Sequence, residues 1–101
     1  MALIQTLHLI QRSPFTHSAL SDCLKVIDPL DSILLMQDGV YGLQHPKLLN
    51  SDRNLNTNAL LDDVLARGLD QLSPETTNIN KISYSQFVTL CANHKHVISW
   101  Y

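Results

Sequence analysis

Two cysteines and a short histidine cluster carry most of the reactive potential of this 101-residue chain. Cys23 is the one plausible nucleophile, and for a cysteine the thiolate is the attacking species, so its surroundings decide its chemistry. Cys23 borders an apolar arc of Leu20, Leu24 and Ile27, where a free cysteine is ordinarily a packed, inert residue. If the helix begins instead at Ser21, Cys23 falls in the first turn, where the dipole stabilises a thiolate. Cys91, His94 and His96 form a C-x2-H-x-H pattern. Zinc wants at least three well-placed ligands, and Cys91 shares a helical face with Phe87, Leu90 and His94, which reads as core. Asp62 and Asp63 are adjacent and project to different faces, so they serve a helix start better than acid–base work. Gln37 and Asp38 follow the apolar run Ile33 to Met36 and lead into Gly39. Ligands and partners meet open α/β sheets outside the carboxyl ends of strands, while Asp-Gly is equally a turn signal.

The elements that hold these groups can be read from spacing. Ile33, Leu34, Leu35 and Met36 do not alternate with polar residues, which predicts a strand buried on both faces, as in parallel sheets covered by helices. Leu3 to Ile10 predicts an earlier strand, ended by Ser13-Pro14. Thr16 or Ser18 can cap a helix to about Ile27, closed by Asp28-Pro29. Strand, helix and buried strand make a βαβ unit with a right-handed crossover. Gln44 to Asn58 is rich in Asn, Asp and Ser and favours turns, with a short third strand at Leu55 to Leu60. Leu61, Val64 and Leu65 predict a helix stopped by Arg67-Gly68, with Leu69 as the hydrophobic partner of that cap. Ile79 to Ile82 fits a fourth strand, and Ser83-Tyr84-Ser85-Gln86 matches a capping box at the head of a last helix. Val97 to Tyr101 fits a fifth strand or a hydrophobic tail.

A chain of this length is one domain, residues 1–101, with a thin core. The net charge is −2, and the seven Lys and Arg are scattered, so direct nucleic-acid binding is not expected. The chain has no GxGxxG, P-loop or nucleophile elbow, and no cofactor is expected. The two cysteines lack the density of a secreted disulfide scaffold. Met1 to Ile10 has no basic leader and is too short to span a bilayer. A soluble, cytoplasmic protein with two free thiols is the expectation.

Ser13-Pro14-Phe15, Leu20 with Cys23-Leu24, Leu34-Leu35-Met36-Gln37-Asp38-Gly39-Val40, Ala66-Arg67-Gly68-Leu69, Ile82-Ser83-Tyr84 with Phe87-Val88 and Leu90, and Trp100 follow one another in this order. That order resembles the TusB/DsrH family of small sulfur-relay subunits almost end to end, departing from it in the Asn-rich Gln44 to Asn58. The resemblance implies a DsrEFH-like three-layer α/β/α sandwich around a mostly parallel sheet of about five strands. It also implies a cytoplasmic heterohexamer with TusC/DsrF-like and TusD/DsrE-like subunits, two copies of each. In the Tus branch a persulfide passes to a TusE/DsrC-like carrier and on to 2-thiouridine at the tRNA wobble position. The Dsr branch serves sulfur oxidation. The TusB-like subunit is not the principal cysteine carrier of the family and is not expected to turn over independently. Ser13 through Leu24 matches the DsrH version of the motif, in which Cys23 would be the sulfur acceptor. An inert structural subunit and a stand-alone ligand-binding domain remain alternatives.

Overall fold

The computed structural model describes residues 4–45, 56–69 and 79–100. Its elements run β1 (Ile4–Ile10), α1 (Ala19–Val26), β2 (Ser32–Leu35), a 3-10 helix (Gln37–Gln44), β3 (Asn56–Leu60), α2 (Leu61–Ala66), β4 (Asn80–Ile82), α3 (Tyr84–Ala92) and β5 (His94–Trp100). The five strands form one sheet in the order β4-β3-β2-β1-β5. Every neighbouring pair is parallel. The chain thus adds strands in one direction from β1 to β4 and returns to the far side of β1 with β5.

Alternation along the strands divides the core into two layers. Ile10, Ile33, Leu35 and Ala59 pack with Leu20 and Cys23 of α1, Val40 and Leu43 of the 3-10 helix, and Val64 of α2. Leu7, Leu9 and Leu34 point the other way, against Phe87, Leu90 and Cys91 of α3. All four residues of β2 are buried, as an unalternated apolar strand between two helical layers must be.

Local chemistry sets several boundaries where the sequence places them. Gly68 takes φ +68, its N–H donates to the Leu65 carbonyl at 3.1 Å, and the Leu69 N–H donates to the Val64 carbonyl at 3.0 Å. Together these form a Schellman cap, with Leu69 buried as its apolar partner. Ser83 Oγ accepts from the Gln86 N–H at 3.2 Å, and Gln86 Oε1 accepts from the Ser83 N–H at 2.8 Å, completing the capping box. Ser18 occupies the N-cap of α1, but its hydroxyl donates to Asp22 Oδ2 at 2.9 Å and caps no backbone N–H.

Three expectations require correction. The chain after Met36 does not make a simple Asp-Gly turn; it winds into a 3-10 helix from Gln37 to Gln44. Val40 and Leu43 are fully buried there, and that burial outweighs the weaker hydrogen-bond geometry of so long a 3-10 segment. His94 does not continue the helical face of Cys91: α3 ends at Ala92 and His94 opens β5. The turn-favouring composition of Gln44 to Asn58 does not hold to its end: Asn56-Thr57-Asn58 lies inside β3, an interior strand that matches the short strand expected at Leu55 to Leu60. The side-chain amides find partners across the sheet, Asn56 Nδ2 donating to Ser32 Oγ at 2.9 Å and Asn58 Nδ2 to the Ile33 carbonyl at 3.2 Å, so the local competition that favours turns is satisfied within the ladder. Leu3, Tyr101 and the Asn50 to Asn54 run lie outside the described residues.

Candidate functional site

At the carboxyl end of β2, Gln37 stands at φ +51, a left-handed conformation uncommon for a residue with a side chain. Its N–H donates to Asp63 Oδ2 at 2.7 Å, so Asp63, in the first turn of α2, fixes the strand-end backbone as well as complementing the helix dipole. Arg67 donates through Nε and Nη2 to Asp38 Oδ1 at 3.1 and 3.0 Å and lies 3.7 Å from Asp63 Oδ1. Gly39 sits against β1 so closely that a Cβ there would collide with the Ile10 carbonyl oxygen. Gln37 and Asp38 are therefore fastened to α2 and the end of β1. The arrangement holds charge and shape but brings up no nucleophile.

Cys23 lies one turn inside α1, beyond the reach of the helix N-terminus, because the helix starts at Ala19. The residue is fully buried. Burial, and secondarily the negative charge of Asp31, push its thiol up to about 12, so the thiolate is disfavoured in this conformation. Cys91, across the sheet, is half-buried, and burial raises its pKa as well. The two thiols belong to opposite layers of the core and are both free.

The polar groups that strand spacing did not reveal form two clusters across the sheet, one joining His8 of β1 to Asp31 and Trp100, the other joining His94 to Ser32 at the starts of β5 and β2. His8 Nε2 donates to Asp31 Oδ2 at 2.9 Å, and the Trp100 indole N–H donates to His8 Nδ1 at 3.0 Å. This pair of bonds fixes the neutral ring with its proton on Nε2. Asp31 also accepts from the backbone N–H of Thr6 and of Asp28, each at 3.2 Å. Burial pushes Asp31 up, but the His8 ring and these backbone donors outweigh it, leaving its carboxyl below the usual range. His94, also buried, donates from Nδ1 to the Leu90 carbonyl at 2.6 Å and accepts at Nε2 from Ser32 Oγ at 2.9 Å. Both ring nitrogens are thereby used, which explains why the C-x2-H-x-H spacing assembles no metal site. Among the described residues, no group of three His, Cys, Asp or Glu is placed to hold a metal ion. His96 is exposed on β5. His8 could have been flagged as the lone ring in an apolar strand; its partners, 23 and 92 residues away, could not.

Comparison with known proteins gives this arrangement a family. Residues 12–97 match the family described as DsrH like protein. The chain belongs to the TusB/DsrH family of sulfur-relay subunits. It is 36% identical over 98 residues to Protein TusB of Buchnera aphidicola subsp. Baizongia pistaciae, covering 93% of this chain and 99% of the relative. It is 36% identical over 99 residues to Protein TusB of Yersinia pestis, strain Pestoides F, with the same coverage. Among solved structures, Protein Tm0979 from Thermotoga maritima superposes with a TM-score of 0.63 at 27% identity, covering 87% of this chain and 92% of that one. The ychN protein from E. coli shares the fold, with a TM-score of 0.70 at 14% identity, covering 94% and 98%. As a TusB/DsrH-like domain, this chain has the expected α/β sandwich with a parallel sheet. Among the described residues, no helix is long and apolar enough to cross a membrane.

Proposed function

We propose that this chain is the TusB/DsrH-type subunit of a cytoplasmic sulfur-relay complex and that it acts by assembly. Its neighbours in that complex are TusC/DsrF-like and TusD/DsrE-like subunits, with a TusE/DsrC-like carrier receiving the sulfur. The pathway is persulfide transfer toward 2-thiouridine at the tRNA wobble position, a reading favoured by relatives that carry the name TusB. The observation that supports an assembly role is the full burial of Cys23: a subunit whose motif cysteine is sealed in the core contributes surfaces before it contributes chemistry.

Any sulfur this subunit does accept is proposed to sit on Cys23. In that step the Cys23 thiolate attacks the outer sulfur of a donor persulfide, a new S–S bond forms on Cys23, and the donor leaves as a thiolate. Attack requires α1 to lift from the sheet, which docking of a partner would have to drive.

Co-expression with the two homologous subunits followed by native mass spectrometry tests the assembly. A complex containing two copies of each subunit is expected, and a persistent monomer in their presence would sink the reading. Incubating that complex with a persulfide donor tests the thiol. Added sulfur mass on Cys23 is expected only where hydrogen exchange shows α1 opened, and mass gained with α1 protected contradicts the gating step.

A further inference from the structure

The His8–Asp31–Trp100 network takes no part in the proposed sulfur step, yet it sets a titratable ring between an acceptor and a donor inside the sheet. His8 and Asp31 are 4% and 6% exposed. Asp31, its carboxyl held below the usual range, can only accept, and it takes the Nε2 proton of His8 at 2.9 Å. The indole of Trp100 can only donate, and its N–H ends on Nδ1 at 3.0 Å. The neutral ring satisfies both partners. A second proton would enter at Nδ1 and turn the acceptor into a donor, setting two N–H groups against each other, while the bond to Asp31 would survive as a charge-assisted pair. The two ring centroids lie 6.0 Å apart with their planes tilted by 36°, and the indole meets His8 through its N–H edge, the positive rim of an aromatic system. A cation on His8 therefore repels that edge and gains no attraction from the indole face.

We propose that His8 is a proton-operated latch on the end of β5: the neutral ring holds Trp100 against the α1 layer, and the protonated ring keeps Asp31 and lets Trp100 go. Histidine is the side chain whose charge changes between about pH 5 and 8, and Asp31 stays charged across that interval. The other groups around the ring supply no competing switch. From α1, Cys23 stays a neutral thiol, its pKa pushed up to about 12, and Asp22 and Lys25 are exposed and lie 3.9 Å from each other. In the loop ahead of β2, the Asp28 carboxylate accepts from the Leu30 N–H at 2.9 Å. β2 sets Ile33 beside His8. β5 sets Ile98 on its other side, with His96 exposed two residues earlier. Trp100 is half-buried and packs against the cluster that holds Ile10, Leu20 and Cys23, so its release uncovers that layer where β5 closes it. The latch is independent of sulfur transfer and needs only the full chain.

Trp100 is the only tryptophan in the chain, so its indole N–H gives a single resonance and its emission a single signal. In the full chain titrated from about pH 8 to about pH 5, NMR is expected to show the His8 ring nitrogens and the indole N–H shifting with one shared midpoint. Tryptophan emission is expected to move to longer wavelength over the same range, with far-ultraviolet circular dichroism unchanged. His8→Gln keeps one donor and one acceptor but takes no proton, and is expected to hold the indole signal constant. His96→Gln, at an exposed position of β5, is expected to leave the transition in place. An indole signal that stays fixed while His8 titrates overturns the proposal, as does a His8 ring that stays neutral until the chain unfolds. A transition that persists in His8→Gln, or one that His96→Gln abolishes, overturns it as well. The NMR titration needs no substitution and is decisive even where His8→Gln does not fold.

Discussion

The two faces of the sheet are packed to different standards. On the α1 face, Leu20, Cys23, Ile33, Leu35, Val40, Leu43 and Val64 are sealed from solvent, and the His8–Asp31–Trp100 network closes that layer with every buried side-chain polar atom among the described residues satisfied. On the α3 face the buried set shrinks to Leu7, Leu9 and Leu34. There α3 buries no residue completely, and Tyr84 and Val88 are left exposed. A cavity of about 330 Å³ lined by Asn58, Ile82, Ser85, Gln86, Thr89, Leu90 and Asn93 opens beneath α3. The contrast teaches that burial and reactivity part company here. The cysteine matched to the family motif sits in the tighter layer, and the looser layer holds the more accessible thiol, Cys91.

Breaking the tighter face should cost most. Gly39→Ala forces a methyl group onto the Ile10 carbonyl, and chemical denaturation is expected to show a loss of about 3 kcal/mol or more, or no folded protein. Leu20→Ala should cost about 3 kcal/mol, against about 1 kcal/mol for Val88→Ala on the exposed side of α3. Equal losses in that pair of urea titrations would erase the distinction between the faces. Asp31→Asn removes a buried carboxylate that accepts from His8, Thr6 and Asp28, for a loss of about 2 kcal/mol at neutral pH. The same residue sets a pH dependence. Its folded pKa lies below the unfolded value of about 3.9, so its contribution is complete above that value and fades as pH falls through the folded pKa. Acid denaturation below about pH 4 should therefore be shallower in Asp31→Asn than in the unsubstituted chain. Ser83→Ala, which removes one capping box, should cost about 1 kcal/mol and leave the α1 face untouched.

Much of this was legible locally. Gly68-Leu69 and Ser83 to Gln86 specify their caps within six and four residues of chain, and the apolar run Ile33 to Leu35 announces a strand covered on both sides. What failed was of longer range. His94 continues the spacing of Phe87, Leu90 and Cys91, and only its pairing with Ile4 of β1 and its bond to Ser32, 62 residues away, show that it begins a strand. Asn56 and Asn58 fit both a turn and the strand expected at Leu55 to Leu60, and only the partners that β2 supplies decide for the strand. The Gln37 to Gln44 segment carries an Asp-Gly turn signal, and the burial of Val40 and Leu43 that overrides it belongs to the assembled core. Cys23 was visible as a candidate, and its helix was placed correctly. Whether the thiol is a reactive thiolate depends on where α1 begins, on the core it packs into and on the charge of Asp31, none of which spacing alone determines.

The central claim is that this subunit serves the relay through its surfaces, with Cys23 held in the core. Its most direct test is the 2-thiouridine content of tRNA, measured by mass spectrometry, in cells whose only copy of this chain carries Cys23→Ala, with assembly of the complex verified in the same extract. The account predicts wild-type thiolation, and loss of 2-thiouridine from an intact complex would contradict it.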